Sequence, residues 1–257
     1  MASIHEVAPV RCALALFVTL AVVSFVAAPA AAINIQWDDL VGNDSWGDGG
    51  NWSTGTVPGP GDTAQFDTVG GSFIPGDVTA ILDMDRTVGG LAFVNGNSFH
   101  TLDLNGFTLS VDNNLIVGLN ESATAGASFT NGALILGTLA SPDDLAVGWT
   151  TLGGHMTVGL LDLTDTASLT GNIDQLLVGQ SVTGRAGGTL LLPPVNDFDV
   201  HQIKIGNASS VDNNGDVSHL QLGNTNAIRA DQLLVGGPMS FGTLGINPGG
   251  SLDLGDA

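Results

Sequence analysis

The hexapeptide Asp-Gln-Leu-Leu-Val-Gly occurs twice in this chain, at Asp174–Gly179 and again at Asp231–Gly236. Three relatives accompany it: NNLIVG at Asn113–Gly118, DDLAVG at Asp143–Gly148 and HQIKIG at His201–Gly206. The closing glycines, Gly118, Gly148, Gly179, Gly206 and Gly236, are separated by 30, 31, 27 and 30 positions. A motif returning at so even an interval confines the chain to a stacked architecture, in which each repeat contributes one coil.

Variation inside the motif is ordered. The first apolar position holds Leu115, Leu145, Leu176, Ile203 and Leu233, and the third holds Val117, Val147, Val178, Ile205 and Val235. Only the position between them, with Ile116, Ala146, Leu177, Lys204 and Leu234, accepts a lysine. Neighbouring strand residues point to opposite sides, so the first and third positions are expected inside and the middle one outside. The glycine then marks a bend. A second strand is expected in each unit, as ALIL (Ala133–Leu136), HMTV (His155–Val158), TLLL (Thr189–Leu192), HLQL (His219–Leu222) and TLGI (Thr243–Ile246).

Stacking such units predicts an all-β, right-handed parallel β-solenoid (β-helix) with inward ladders of Leu and Val. Upstream, VTAILDMD, LAFV and TLDLNGFTLSV continue the alternation. Asn105–Gly106 divides the last of these and is a strong hairpin signal. An antiparallel β-sandwich is therefore the alternative fold.

Composition agrees with strands and turns. The chain has 37 glycines, 23 aspartates and two glutamates. Asp favours turns and Glu favours helices, so little helix is expected. The formal net charge of −20 excludes nucleic acid and anionic membrane surfaces as partners. It is compatible with cations and basic partners.

The first 32 residues read as a secretory signal peptide. Arg11 precedes an apolar run from Ala13 to Ala28, and Pro29 leads into Ala30–Ala32. The run is short for a membrane span, so no span is expected once the leader is removed. The lone cysteine, Cys12, lies in the leader, leaving no disulfide in the exported part. The expected organisation is a leader at 1–32, an amino-terminal cap rich in Trp, Pro and Gly at 33–77, and solenoid repeats over 78–257. The closing GGSLDLGDA keeps the rhythm of another strand, so the repeats are read as truncated.

The cap carries Trp37, Trp46 and Trp52. A solenoid needs a cover for the open end of its core, and large aromatics on a loop stiffened by Pro58 and Pro60 supply one. The same three tryptophans could instead form an exposed platform for carbohydrate. The pattern Trp46-x-x-x-x-Asn51-Trp52-Ser53, then Pro58, then Asp62-x-Ala64-x-Phe66, resembles the start of exported bacterial proteins with autotransporter-associated β-strand repeats. Many of those proteins end in a PEP-CTERM sorting tail or a dockerin. The VGGLAF stretch and the LxVG units fit the resemblance, which implies a secreted β-solenoid of the cell envelope or matrix without specifying an activity.

Residues suited to chemistry are few. Asp197 and Asp199, two apart on one strand, form a carboxylate pair of the kind that serves glycoside hydrolysis. Arg185 and Arg229 are placed in loops, and the histidines lack metal-ligand spacing. Asp212, Asn214 and Asp216 in DNNGD echo the opening of a calcium loop without its closing Glu. Calcium is thus the one cofactor the sequence suggests. Three readings follow: a noncatalytic structural or adhesive protein of the cell surface or extracellular matrix, a module that binds polysaccharide and is stabilised by calcium, and a polysaccharide-degrading enzyme. The first is preferred, and the partners expected are polysaccharide or other cell-envelope components.

Overall fold

A computed structural model describes residues 32–67, 77–94, 96–120, 123–153, 156–208, 217–237 and 240–247. Most of the expected leader, the Asp212–Asp216 calcium candidate, His155 and the closing GGSLDLGDA segment lie outside them. The chain is a parallel β-solenoid of about six turns. The ladders between its strands are parallel, and the described residues contain no α-helix.

Each coil lays strands on three faces. The first face holds Asn34–Gln36, Thr63–Phe66, Gly90–Phe93, Asn114–Leu119 and Asp143–Thr150. The second face holds Arg86–Val88, Thr108–Val111 and Ala133–Leu136. Three long strands, Ser168–Ser181, Val195–Ala208 and Thr225–Val235, continue both faces across their shared corner. The third face holds Thr79–Ile81, Ser98–Asp103, Thr124–Thr130, Met156–Asp165, Arg185–Leu191, Val217–Gln221 and Phe241–Gly245.

The LxVG motif forms the first face in register. Leu91, Leu115, Leu145, Leu176, Ile203 and Leu233 make one inward column. Phe93, Val117, Val147, Val178 and Ile205 make the next, continued in register by Val235, which is exposed on the last of these rungs. The closing glycines all have positive φ, from 63° at Gly206 to 78° at Gly236, a region that strains any residue with a Cβ. At Gly148, Gly179 and Gly206 there is no room for one either. A Cβ on Gly148 would strike the Gly187 carbonyl, and one on Gly206 would strike the Phe241 carbonyl. The bend is therefore fixed by close backbone approach between the first and third faces.

Four expectations are corrected. Asn105–Gly106 is a corner, not a hairpin: Ser98–Asp103 before it lies on the third face and Thr108–Val111 after it on the second. The antiparallel sandwich is thereby excluded. Ala133–Leu136 is not equivalent to the other second strands. It pairs with Thr108–Val111 and Ser168–Gly171 on the second face, whereas the others lie on the third. Its third-face partner is Thr124–Thr130, whose sequence TAGASFT hides the pattern because Ala125 and Ala127 fill the inward positions beside Phe129. The middle position of LxVG faces outward, yet Ala146 and Leu177 are buried there, shadowed by neighbouring rungs. Arg185 and Arg229 both lie in strands.

The cap begins later and ends earlier than expected. Asn34–Gln36 and Thr63–Phe66 are already rungs of the first face. Between them, residues 37–62 fold over the end of the core. Trp37, Trp46 and Trp52 are 0, 0 and 2% exposed. Trp52 meets Trp37 edge-on at 4.9 Å and Trp46 at 4.8 Å between ring centroids. Beneath them Phe66 stacks on Phe93 at 4.7 Å. Buried Asn51 ties the loop together: its Nδ2 donates to Asn43 Oδ1 and to the Ser45 carbonyl, and its Oδ1 accepts from the Val41 N–H. The Asn-Trp-Ser motif is thus a structural clasp, with Ser53 Oγ accepting from the Gln36 N–H.

Candidate functional site

Paired residues of a parallel ladder point the same way, so the outer side of the first face is a set of straight rows. One row runs Asn114, Asp144, Gln175, Gln202, Gln232. Its side chains bind along the solenoid axis. Asn114 Oδ1 accepts from the Asp144 N–H at 3.3 Å, Asp144 Oδ1 accepts from the Gln175 N–H at 3.2 Å, and Gln202 Nε2 donates to Gln232 Oε1. Lys204 reaches back across the rows and donates to Gln175 Oε1 at 3.1 Å.

Toward the cap this surface dips into a groove of about 390 Å³. The cause is local. Gly90 and Ala92 are the outward residues of one rung, between Thr63 and Gln65 on one side and Asn114 and Ile116 on the other. Two small residues side by side leave a hollow one rung wide. Rungs lie about 4.8 Å apart, so the two walls stand about 10 Å from each other. Asn34, Asn113 and Asn120 add amides to the rim, and Val94 and Leu119 add apolar surface. Among the described residues none of the lining carries a charge.

Trp149 belongs to this surface and was not singled out from the sequence. It pairs in register with Leu119, which lines the groove, and with Gln180 on the far side. It is partly exposed, and its carbonyl accepts from the Asn120 N–H at 2.9 Å. The Asn120 side chain is itself anchored, its Oδ1 accepting from the Thr151 N–H at 2.7 Å. The available signal was position: Trp149 directly follows a motif glycine, as Leu119 does one repeat earlier.

The other candidates fall elsewhere. Trp37, Trp46 and Trp52 are enclosed in the cap and offer no exposed platform. Asp197 and Asp199 do share one strand and one side, but both carboxylates bind Arg229 of the next rung. Its Nη1 donates to Asp197 Oδ1 at 3.0 Å and its Nε to Asp199 Oδ1. These bonds, Asp199 first, raise the guanidinium above its ordinary pKa. A pair clamped in this way is a surface ion bridge. His201 and Asp231 form a neighbouring contact, Nδ1 to Oδ2 at 2.7 Å, and with Asp199 and Arg229 they line a second hollow of about 220 Å³. Among the described residues no group of three or more His, Cys, Asp or Glu side chains is placed to hold a metal ion. No described helix is long and apolar enough to cross a membrane.

No family model, no curated protein and no solved structure matches the chain.

Proposed function

We propose that the protein is a secreted, noncatalytic structural or adhesive component of the cell surface or extracellular matrix. The observation that carries this reading is the uncharged groove on the first face. It offers amide groups over an apolar floor, which suits retention of a polar partner, and its described lining residues include no carboxylate, histidine or cysteine for turning it over. The rigid parallel ladder supports the same reading, since it holds the groove on strands and not on loops. Arg229 supports it too, by occupying the Asp197–Asp199 pair that the sequence suggested for hydrolysis. The expected export signal at 1–32 and the resemblance to exported repeat proteins support a location outside the cytoplasm. The test is retention of the exported chain on washed cell envelopes and on insoluble polysaccharides, with the supernatant assayed for new reducing ends. Retention without reducing ends is expected. Steady release of reducing ends would replace this reading with the enzymatic one.

A further inference from the structure

We infer that the groove between the Thr63–Gln65 and Asn114–Ile116 rungs binds an uncharged polysaccharide, with the partly exposed Trp149, one rung beyond the lining residue Leu119, extending the contact surface. This rests on the adhesive reading above and names the ligand class for the same surface.

Charge makes the first argument. The chain carries a formal −20, yet the groove is lined by Asn34, Thr63, Gln65, Asn113, Asn114 and Asn120 among its polar residues, all neutral. No described lining residue offers a carboxylate to ligate a cation, and an anion would meet the field of the surrounding carboxylates. A ligand rich in hydroxyls needs neither. Hydrogen-bonding capacity makes the second. Asn114 uses its Oδ1 on the Asp144 N–H, and Gln65 uses its Nε2 on Asp67 Oδ2. The Asn114 amide NH2 and the Gln65 carbonyl oxygen remain as one donor and one acceptor on opposite walls.

Shape makes the third. The floor of Gly90 and Ala92 runs along a strand, so the groove lies across the solenoid axis and takes an extended chain. A hollow one rung wide, between walls whose backbones stand about 10 Å apart, admits a sugar ring standing on its edge. Beyond Leu119 the next rung presents Trp149, and an indole face against the apolar face of a sugar adds contact area at low entropic cost.

The experiment is affinity electrophoresis of the full exported chain through native gels containing a neutral β-glucan, a neutral galactomannan or anionic polygalacturonate. It compares wild type with Ala92→Glu, Trp149→Ala and Trp149→Phe, each first matched for thermal unfolding. The inference expects retardation by at least one neutral polymer and none by polygalacturonate. It expects binding about tenfold weaker for Trp149→Ala, largely kept by Trp149→Phe, and lost with Ala92→Glu. Retardation of wild type that neither Ala92→Glu nor Trp149→Ala changes would overturn the assignment to this groove and leave the adhesive reading standing. Equal retardation by polygalacturonate would overturn the uncharged class. If wild type is held by cell envelopes but by neither neutral polymer, the ligand class is wrong. If it is held by nothing, the adhesive reading itself falls.

Discussion

Asp143 occupies the same inward rung position as Ile173, so one carboxyl stands in a column otherwise filled by Ile173, Val200 and Ala230. The register slips between Asp143 and Asp144, because Asp144 pairs with Gln175 and skips Asp174. At the corner the longer coils turn two consecutive residues outward, Asp174 and Gln175, then His201 and Gln202. The DDLAVG copy is one residue short there, and its first aspartate falls inside. Asp143 is 2% exposed, its Oδ2 has no hydrogen-bond partner among the described residues, and burial pushes its carboxyl up to about 7, helped by Asp112 and Asp144 and opposed by the Gly137 N–H.

This carboxyl has a counterpart of opposite sign. His100 is buried beside Phe66 and Phe93, and burial pushes its imidazole down to about 4. The folded state holds a proton on Asp143 that the unfolded chain releases, so this residue lowers stability as pH rises from about 4 to about 7, by up to about 4 kcal/mol. His100 is neutral when folded and charged when unfolded below its ordinary value, so it lowers stability as pH falls from about 6.5 to about 4, by about 3 kcal/mol. The two slopes nearly cancel. Urea midpoints of wild type are expected to change little between pH 4 and 7 on their account. Asp143→Ile is expected to leave a rising profile and His100→Phe a falling one. Parallel profiles for the two variants would contradict the assignment.

Gly148 and Gly106 separate two costs of a side chain. Both have positive φ, 70° and 85°, but only Gly148 faces another backbone, while Gly106 has nothing within 4 Å of an added Cβ. Gly106→Ala is expected to lose about 1 kcal/mol from backbone strain alone. Gly148→Ala must also part the first and third faces and is expected to lose more than about 3 kcal/mol, read from denaturant unfolding.

The buried asparagines are a small ladder of their own. Asn196 and Asn226 pair in register, Asn196 Nδ2 donating to Asn226 Oδ1 at 2.8 Å and Asn226 Nδ2 to the Gly223 carbonyl at 2.9 Å. Asn226→Ala removes the acceptor and the tie to the turn, and a loss of about 1–3 kcal/mol is expected. Protection from hydrogen exchange should fall first in Thr225–Val235 and the strand it covers.

The cap predicts a different signature. Trp52→Ala leaves a large hole between Trp37, Trp46 and Phe66 and breaks the 2.8 Å bond from Trp52 Nε1 to the Trp46 carbonyl. About 3–5 kcal/mol should be lost. Dye binding to the uncovered Phe66 and Phe93 end should rise before the distal coils unfold.

The first face was legible because its motif combines two inward apolar residues with a glycine that no other residue replaces. The cap was legible because its tryptophans had to cover something. Thr124–Thr130 was not, since alanines and a glycine carry little hydrophobic contrast and the space they leave is filled by Phe93 and Phe129. The inward turn of Asp143 was hidden because a one-residue bulge is invisible to a motif aligned on its glycine. The groove was hidden for a related reason. It is made by two small residues, Gly90 and Ala92, and by amides brought together from rungs about 25–30 positions apart in sequence, none of which forms a local pattern.

The most direct test is a depletion isotherm of residues 33–257 on an insoluble neutral polysaccharide, wild type against Ala92→Glu, with reducing ends counted in the same tubes. Saturable uptake by wild type, little by Ala92→Glu and no growth of reducing ends with time is the predicted result. Equal uptake by both, or reducing ends that accumulate with wild type, would contradict it.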